Sequence, residues 1–214
     1  QVTFADSCDF NNIYVYAIPR LERVSSGVIR TNYLSPAQKS HMINKIRDTK
    51  TLTTETIIMD PVYVTLTPGL YNQGSEKLSD HLETYSDNSI FQIERAATST
   101  VSLQSVENQA YNIIVNYFRE FTLGQTVDVT FLVSQLLSIN GVVKVYTYRE
   151  DTGQRVEGLN FFIWNPIYPH ADYMSTSTNV VMPYFKYPYL KDPINFINKV
   201  KAVSEPTSTG TVEY

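Results

Sequence analysis

The fold is decided by residues 103–121, which read LQSVENQAYNIIVNYFREF. Apolar side chains recur here at intervals of three and four residues, the spacing of one face of an α-helix. They are Leu103, Val106, Ala110, Ile113, Ile114, Tyr117, Phe118 and Phe121. Ser102 or Ser105 can cap the start of the helix, and Gly124 is expected to close it. The stretch predicts the main amphipathic helix of the chain.

A second helix and a strand are predicted directly downstream. Asp128 is suited to cap a short helix whose apolar residues are Phe131, Leu132, Leu136 and Ile139. Asn140-Gly141 is a stop signal, and the run from Val142 to Tyr148 is typical of a strand. Residues 153–158 contain two glycines and predict a turn, so we expect Leu159 to Trp164 to pair back on the preceding strand.

The upstream part predicts strand, helix and strand. Asn12 to Ile18 is rich in β-branched and aromatic residues and indicates a strand. Ser35 can cap a helix in which Pro36 takes the first position, because the missing N–H of proline costs nothing there. Gln38 then falls at the third position of a capping box.

The stretch from Thr51 to Thr67 is expected to be extended, with an interruption at Asp60-Pro61. Because Pro61 has no N–H to donate, it predicts a bulge or a change of strand direction. After it, Val62, Val64 and Leu66 alternate with Tyr63, Thr65 and Thr67. This period of two predicts a sheet with two unlike faces.

These patterns predict an α+β fold, with a small mixed sheet, helices on one face and a loosely ferredoxin-like arrangement. The predicted module covers 1–164, with a polar insertion at about 73–100 that includes a short apolar patch at Ile90, Phe91 and Ile93. A less regular, aromatic- and proline-rich region follows over 165–202. Pro166, Pro169, Pro183 and Pro188 should break any long element there. Residues 203–214 are predicted to form a flexible tail.

Composition is typical of a globular, mildly acidic protein. Hydrophobic residues make up 43% of 214 residues, so a core is available. The 17 Lys and Arg stand against 21 Asp and Glu, which gives a net charge of −4 with neutral histidines. Because the cations are scattered singly, we expect no nucleic-acid partner. No apolar run approaches the roughly 20 residues that cross a bilayer, so no membrane partner is expected.

Two features of the N-terminal end add expectations. Cys8 is the sole cysteine, so no intrachain disulfide can form, and we expect a reduced and structurally incidental thiol. The chain begins with Gln1 rather than Met, so we expect a fragment of a longer protein or a processed product.

No catalytic signature is found. The eight glycines never form Gly-x-Gly, so neither a dinucleotide fingerprint nor a phosphate-cradling Gly-rich loop is present, and we predict no cofactor. His41, His81 and His170 lack the spacing of a zinc site, and only tertiary proximity could assemble them. Ser79 with Asp80 and His81 could imitate a hydrolase triad, but no Gly-x-Ser-x-Gly elbow occurs. We therefore predict neither an enzyme nor a small-molecule substrate.

The aromatic residues are the stronger signal, because the 16 tyrosines concentrate after Asn165 among prolines. Stiff amphipathic rings beside prolines suit protein interfaces, since little entropy is lost on ordering them. The predicted interface residues are Tyr168, Tyr173, Tyr184, Phe185, Tyr187 and Tyr189. The alternative is that these rings cover the sheet of their own domain.

The order of the elements resembles the C-terminal module of the baseplate J-like family of contractile tails. The shared motifs are LSPAQ at 34–38, KTLT at 50–53, DPVYVTLTPG at 60–69, LGQTV at 123–127 and INGVVKV at 139–145. The polar stretch at 73–100 and the region after Asn165 depart from the family pattern, so no contacts are transferred to them.

The resemblance implies a non-catalytic scaffold of a bacteriophage virion, assembled in the host cytoplasm. Its expected partners are a second copy of itself, in a homodimer within each wedge, and other wedge subunits, in a ring around the tail tube. Two alternatives stay open. One is a tail module that binds glycans or a receptor through its tyrosines, and the other, less favoured, is a hydrolase.

Overall fold

The structure, a computed structural model, describes residues 12–18, 23–24, 27–28, 33–47, 55–70, 89–164, 174–176 and 179–206. The chain forms two compact units, Gln1–Pro61 and Val62–Tyr214. Their boundary coincides with Asp60-Pro61, where the sequence predicted a change of strand. Helices combine with parallel and antiparallel strands, which confirms the α+β class. The strands lie in several small sheets rather than in one.

The first unit is built on a parallel pair of strands. Its elements are β1 (Asn12–Tyr16), a short hairpin of β2 (Arg23–Val24) and β3 (Gly27–Val28), helix α1 (Pro36–Arg47) and β4 (Glu55–Met59). β1 pairs with β4 in parallel, and α1, which lies between them in the chain, packs on β4. The predicted strand, helix and strand are therefore all present.

The capping box predicted for α1 is formed. The Gln38 N–H donates to Ser35 Oγ at 3.2 Å, and the Ser35 N–H donates to Gln38 Oε1 at 2.8 Å. Two backbone donors that the helix itself cannot satisfy are thereby paired. Lys39 Nζ lies 2.6 Å from Asp60 Oδ2, so the first turn of α1 is also held to the end of the unit.

The second unit contains two four-stranded sheets. The first sheet has the order β10–β9–β5–β11, in which β5 and β11 are parallel and the other pairs antiparallel. Its strands are β5 (Val62–Pro68), β9 (Phe161–Trp164), β10 (Met174–Thr176) and β11 (Lys186–Leu190). Residues 63–68 of β5 are all buried. The alternation predicted for this strand therefore separates two buried faces, not a buried face from an exposed one.

The second sheet has the order β12–β6–β7–β8, with β12 parallel to β6. Its strands are β6 (Ser89–Arg95), β7 (Val142–Arg149), β8 (Arg155–Glu157) and β12 (Val200–Ser204). Arg155 fixes the short β8, because its guanidinium lies 3.6 Å from the centre of the Tyr146 ring and pairs with the buried Glu94 carboxylate.

Three expectations about these strands are corrected. β6 lies inside the stretch predicted as an insertion, yet Phe91 and Ile93 are fully buried, so the insertion cannot extend to residue 100. β12 includes Val203, which was expected to begin the tail. Pro188 lies within β11 instead of breaking it. Residues 71–88 and 207–214, which complete the predicted insertion and tail, lie outside the described residues.

The partner predicted for the strand at 159–164 is also wrong. β7 forms its hairpin with β8, closed by bonds from Gly153 N–H to Arg149 O and from Arg149 N–H to Gln154 O. β8 thereby occupies the free edge of β7. β9 joins β5 instead, where Phe161 and Ile163 enter the core.

Both predicted helices of the second unit are present. α2 (Leu103–Arg119) is capped by Ser102, whose hydroxyl accepts the Ser105 N–H, and α3 (Val129–Leu137) is capped by Asp128. A 3₁₀ helix follows at Phe196–Lys199. Gly124 does not close α2, because the helix ends at Arg119 and this glycine lies in a separate turn.

The two sheets and α2 share one core. The buried residues of α2 are Val106, Ala110, Ile114, Val115 and Phe118, and the helix packs on β6, β12 and β11. The Phe91 ring of the second sheet lies 5.1 Å from the Phe161 ring of the first, which lies 5.8 Å from Phe118. Full burial of each such side chain is worth about 1.5–3 kcal/mol. The aromatic junction therefore holds three elements together.

The outer edge of β11 offers fewer free backbone groups than the edge of a strand usually does. The Lys191 N–H donates to Leu66 O. The backbone N–H and C=O groups of the odd-numbered residues in β11 therefore point towards β5. Pro188, on the other side of the strand, has no N–H, and the Lys186 carbonyl accepts the Gly124 N–H at 3.0 Å. Pro188 and the occupied Lys186 carbonyl therefore make this edge less suited to pairing with another strand.

The edge of β12 is blocked by a side chain. The Ala202 N–H donates to Glu107 Oε1 of α2 at 2.9 Å, and the Val200 N–H donates to the Ile197 carbonyl. The carboxylate fixes the position of α2 along β12 and satisfies a donor that another chain could otherwise use.

Replacing Glu107 tests this contact. We expect Glu107→Ala to lower the free energy of unfolding by about 1–2 kcal/mol, because the Ala202 N–H loses its acceptor. Glu107→Gln keeps an acceptor oxygen and should cost less than half as much. Urea denaturation followed by circular dichroism measures both, and equal losses for the two variants would contradict the role assigned to the hydrogen bond.

Candidate interaction surface

The structure separates the predicted interface residues into two groups. Tyr187 and Tyr189 lie on β11, half-buried, and both rings make edge contacts with Tyr63 of β5 at 5.7 Å between centres. These two rings therefore cover their own sheet, which was the alternative to a role in an interface. Tyr168 and Tyr173 lie outside the described residues.

Tyr184 is the exposed member of the predicted set. Its side chain is 72% exposed, and its ring makes an edge contact with the half-buried Phe185 at 5.3 Å. Both residues precede β11 in the segment 179–186, NVVMPYFK. The role of this pair in an interface stays a prediction. The contacts of segment 179–186 determine the position of Tyr184 at the surface.

Segment 179–186 is fixed to the turn that links the two helices. Val127 and Val180 exchange two backbone hydrogen bonds, each of 2.9 Å. Nearer the end of the segment, Gly124 packs directly against the Tyr184 backbone. Contacts at Val180 and at Tyr184 thus fix the segment to this turn.

Asn179 adds a second cap to α3. Its Oδ1 accepts the Val129 N–H at 3.0 Å and the Thr130 N–H at 3.5 Å. Asp128 Oδ1 accepts the Phe131 N–H at 2.8 Å. The first three N–H groups of the helix therefore have side-chain acceptors, one of which lies in segment 179–186.

Three large apolar side chains on these joined elements face solvent. Val181 is 78% exposed, Tyr184 72% and Phe131, in the first turn of α3, 49%. We call these three residues the apolar rim. Exposed apolar groups on adjacent, rigid elements are characteristic of protein-binding surfaces, whereas singly scattered ones are ordinary.

Tyr117 contacts both the core and the apolar rim. Its hydroxyl accepts the Asp128 N–H at 2.7 Å and lies 3.2 Å from the Asp128 carbonyl, to which it donates. Its ring contacts Phe121 at 5.0 Å and Phe131 at 6.1 Å. Burial raises the pKa of the Tyr117 hydroxyl above its ordinary value of 10.0, and the nearby Asp128 charge raises it further, against the lowering effect of the Asp128 N–H.

Part of this surface was missed by reading the sequence. Phe131 was assigned to the apolar face of the second helix, but it is half-exposed, and Val181 was not singled out. The apolar run Val180-Val181-Met182 was a usable signal. No local sequence pattern predicts that Asn179 caps α3, because the residues whose N–H groups it accepts lie 49 and 50 positions away.

The residues considered for chemistry are not brought together in the described part of the chain. His41 is exposed on α1, while Ser79, Asp80, His81 and His170 lie outside the described residues. Among the residues that the structure describes, no group of three or more His, Cys, Asp or Glu could hold a metal ion. Nor does any described helix have the length and apolar character needed to span a membrane.

No protein-family model matches this chain, and no curated protein matches it. The resemblance to the baseplate J-like family therefore stays a prediction from the order and spacing of the motifs in the sequence.

The contact between Gly124 and Tyr184 can be tested with a matched pair of glycines. Gly124 and Gly153 both have φ +69°, but a Cβ at Gly124 would lie 2.8 Å from Tyr184 Cα, whereas nothing lies within 4 Å at Gly153. We expect Gly153→Ala to cost about 1 kcal/mol of stability and Gly124→Ala about 2–4 kcal/mol. Thermal unfolding measures both. Equal costs would show that segment 179–186 does not press on Gly124.

Tyr117→Phe tests the bond that positions α3. The variant should lose about 1 kcal/mol of stability near neutral pH, because the Asp128 N–H loses its acceptor. Since the folded pKa is raised, the neutral phenol contributes its full stabilisation below pH 10.0, and this contribution falls as the pH rises above that value. The gap between wild type and variant should therefore stay constant up to about pH 9 and shrink as the pH rises above about 10 in urea titrations. A gap that stays constant would contradict the assignment.

Proposed function

We propose that this protein is a structural subunit of the baseplate wedge of a bacteriophage contractile tail. It links wedges into a ring around the tail tube through contacts with copies of itself and with other wedge subunits. The observation that carries the proposal is the apolar rim, held on segment 179–186 and on the first turn of α3, which are hydrogen-bonded to each other through Asn179.

The physical character of the rim supports an assembly role. Val181, Tyr184 and Phe131 expose apolar surface that gains free energy when another protein covers it. Aromatic side chains are enriched in such interfaces, and a pre-positioned segment loses little entropy on binding. Glycan recognition instead needs rings with converging polar groups in a groove, so these projecting side chains fit a protein surface better.

The motifs that carry the resemblance support the same proposal by their positions. Residues 123–127 form the turn to which segment 179–186 is bonded, through Gly124 and Val127. The stretch at 60–69 provides β5, the strand between β9 and β11, and 139–145 leads from α3 into β7. The motifs thus build the scaffold that presents the rim.

The proposed place of the protein follows from this role. It acts in the virion, at the tail baseplate, in the position of the C-terminal part of the large baseplate wedge protein of T4-like bacteriophages. Its proposed partners are a second copy, in a homodimer, and neighbouring wedge proteins. The proposal includes no catalytic step.

Self-association is the sharpest test. Sedimentation velocity over a range of concentrations should show reversible association of the wild-type chain. We expect Tyr184→Ala, alone or with Val181→Ser, to raise the dissociation constant at least tenfold, equivalent to about 1.4 kcal/mol. Truncation at the rim should leave the fold intact, because these side chains are mostly exposed.

Ile194 supplies the matched control. It is 66% exposed and lies in the turn between β11 and the 3₁₀ helix, outside segment 179–186. Ile194→Ser removes similar apolar surface and should leave association unchanged. A wild-type chain that stays monomeric at every concentration, or an equal effect of Ile194→Ser and Tyr184→Ala, would overturn the proposed role of the rim.

A further inference from the structure

The solvent side of α2 is lined by amide side chains. The exposed residues of this helix from 104 to 116 are Gln104, Asn108, Gln109, Asn112 and Asn116, which we call the amide face. The one charged residue in this stretch is Glu107, which is half-buried, and its carboxylate accepts the Ala202 N–H of β12. The helix therefore presents to solvent a surface that is polar but carries little charge.

Helix stability does not account for this composition. Asparagine is one of the weaker helix formers, because its side chain hydrogen-bonds to the backbone in competing conformations. Asn108, Asn112 and Asn116 nevertheless occupy successive exposed turns, where lysine or glutamate would favour the helix more strongly. Residues that oppose local stability on an exposed surface are characteristic of functional sites.

Amide groups are suited to meet an identical surface. Each side-chain amide has two N–H donors and an acceptor oxygen, so two amides that face each other can satisfy one another. Like charges in the same position would repel. A two-fold axis places the same patch of both copies in contact, which requires a patch that complements itself. The amide face meets this requirement, and charged residues are in general depleted at the centre of protein interfaces.

The amide face lies next to the apolar rim. α2 packs on α3, and Asn116 directly precedes Tyr117, whose ring centre lies 6.1 Å from that of Phe131. The three side chains of the rim are too few for a stable interface, since a specific interface takes about 20–30 residues and about 800 Å² from each partner. A contact that continues from the rim onto the amide face gains the additional area that it needs.

We propose that the amide face binds the amide face of a second copy of this chain across a two-fold axis. This inference rests on the self-association proposed above, and it assigns to α2 the part of the contact that the rim does not supply. Because paired amides exchange hydrogen bonds with water for equivalent ones with each other, they mainly determine which surfaces match, while the rim supplies apolar area. Asn108 and Asn112 lie in the middle of the face, so they are nearest the second helix.

Charge substitutions in the middle of the amide face test the proposal. One variant combines Asn108→Lys with Asn112→Lys, and the other combines Asn108→Glu with Asn112→Glu. Each alone should raise the dissociation constant of self-association about tenfold or more in sedimentation velocity, because two faces of like charge oppose each other. An equimolar mixture should bind within about threefold of the wild type, and native mass spectrometry should show the mixed dimer.

A matched control is available on α1. Ser40→Lys combined with Asn44→Lys adds the same charges at the same spacing on exposed positions of that helix. It should change the dissociation constant less than about twofold, because exposed charges far from a contact are screened by salt. Lysine and glutamate are better helix formers than asparagine, so the amide-face variants should remain folded, which circular dichroism checks.

The outcomes separate this inference from the proposed role of the rim. If Tyr184→Ala weakens association while both amide-face variants associate like the wild type, the inference is overturned and the rim keeps its role. If both charge variants weaken association but their mixture does not restore it, the amide face does not meet its own copy, and the inference is again overturned. A wild-type chain that stays monomeric would overturn both.

Discussion

The contact among Phe91, Phe161 and Phe118 is the interaction on which the second unit depends. It joins β6 of one sheet, β9 of the other and α2, and all three rings are almost completely buried. Each sheet has four strands, and buried residues of both sheets belong to the same hydrophobic core. Because α2 packs on strands of both sheets, its apolar face makes them share one core.

The exposed features are positioned from this core through short chains of contacts. Tyr117, on α2, hydrogen-bonds to the Asp128 backbone at the start of α3. Asn179 caps the same helix and fixes segment 179–186, which presents Tyr184.

The aromatic residues show how far the sequence could predict the site. Composition singled out the tyrosine-rich region, and Tyr184 is indeed exposed there. Composition could not distinguish it from Tyr187 and Tyr189, because the difference depends on which strand lies beside them. In the structure β11 pairs with β5, so both rings meet Tyr63 and are half-buried.

The sequence alone determined the helices, their N-terminal caps, the break at Asp60-Pro61 and the α+β class. Each of these depends on periodicity or on hydrogen bonds between residues within a few positions of one another. Only the tertiary structure decided that β9 joins β5 rather than β7, that β6 is a core strand and that the chain near Val203 continues as β12. Strand pairing depends on which apolar faces can be buried together, and the partners are separated by as many as about 125 residues, as in β5 and β11. No local pattern contains that information.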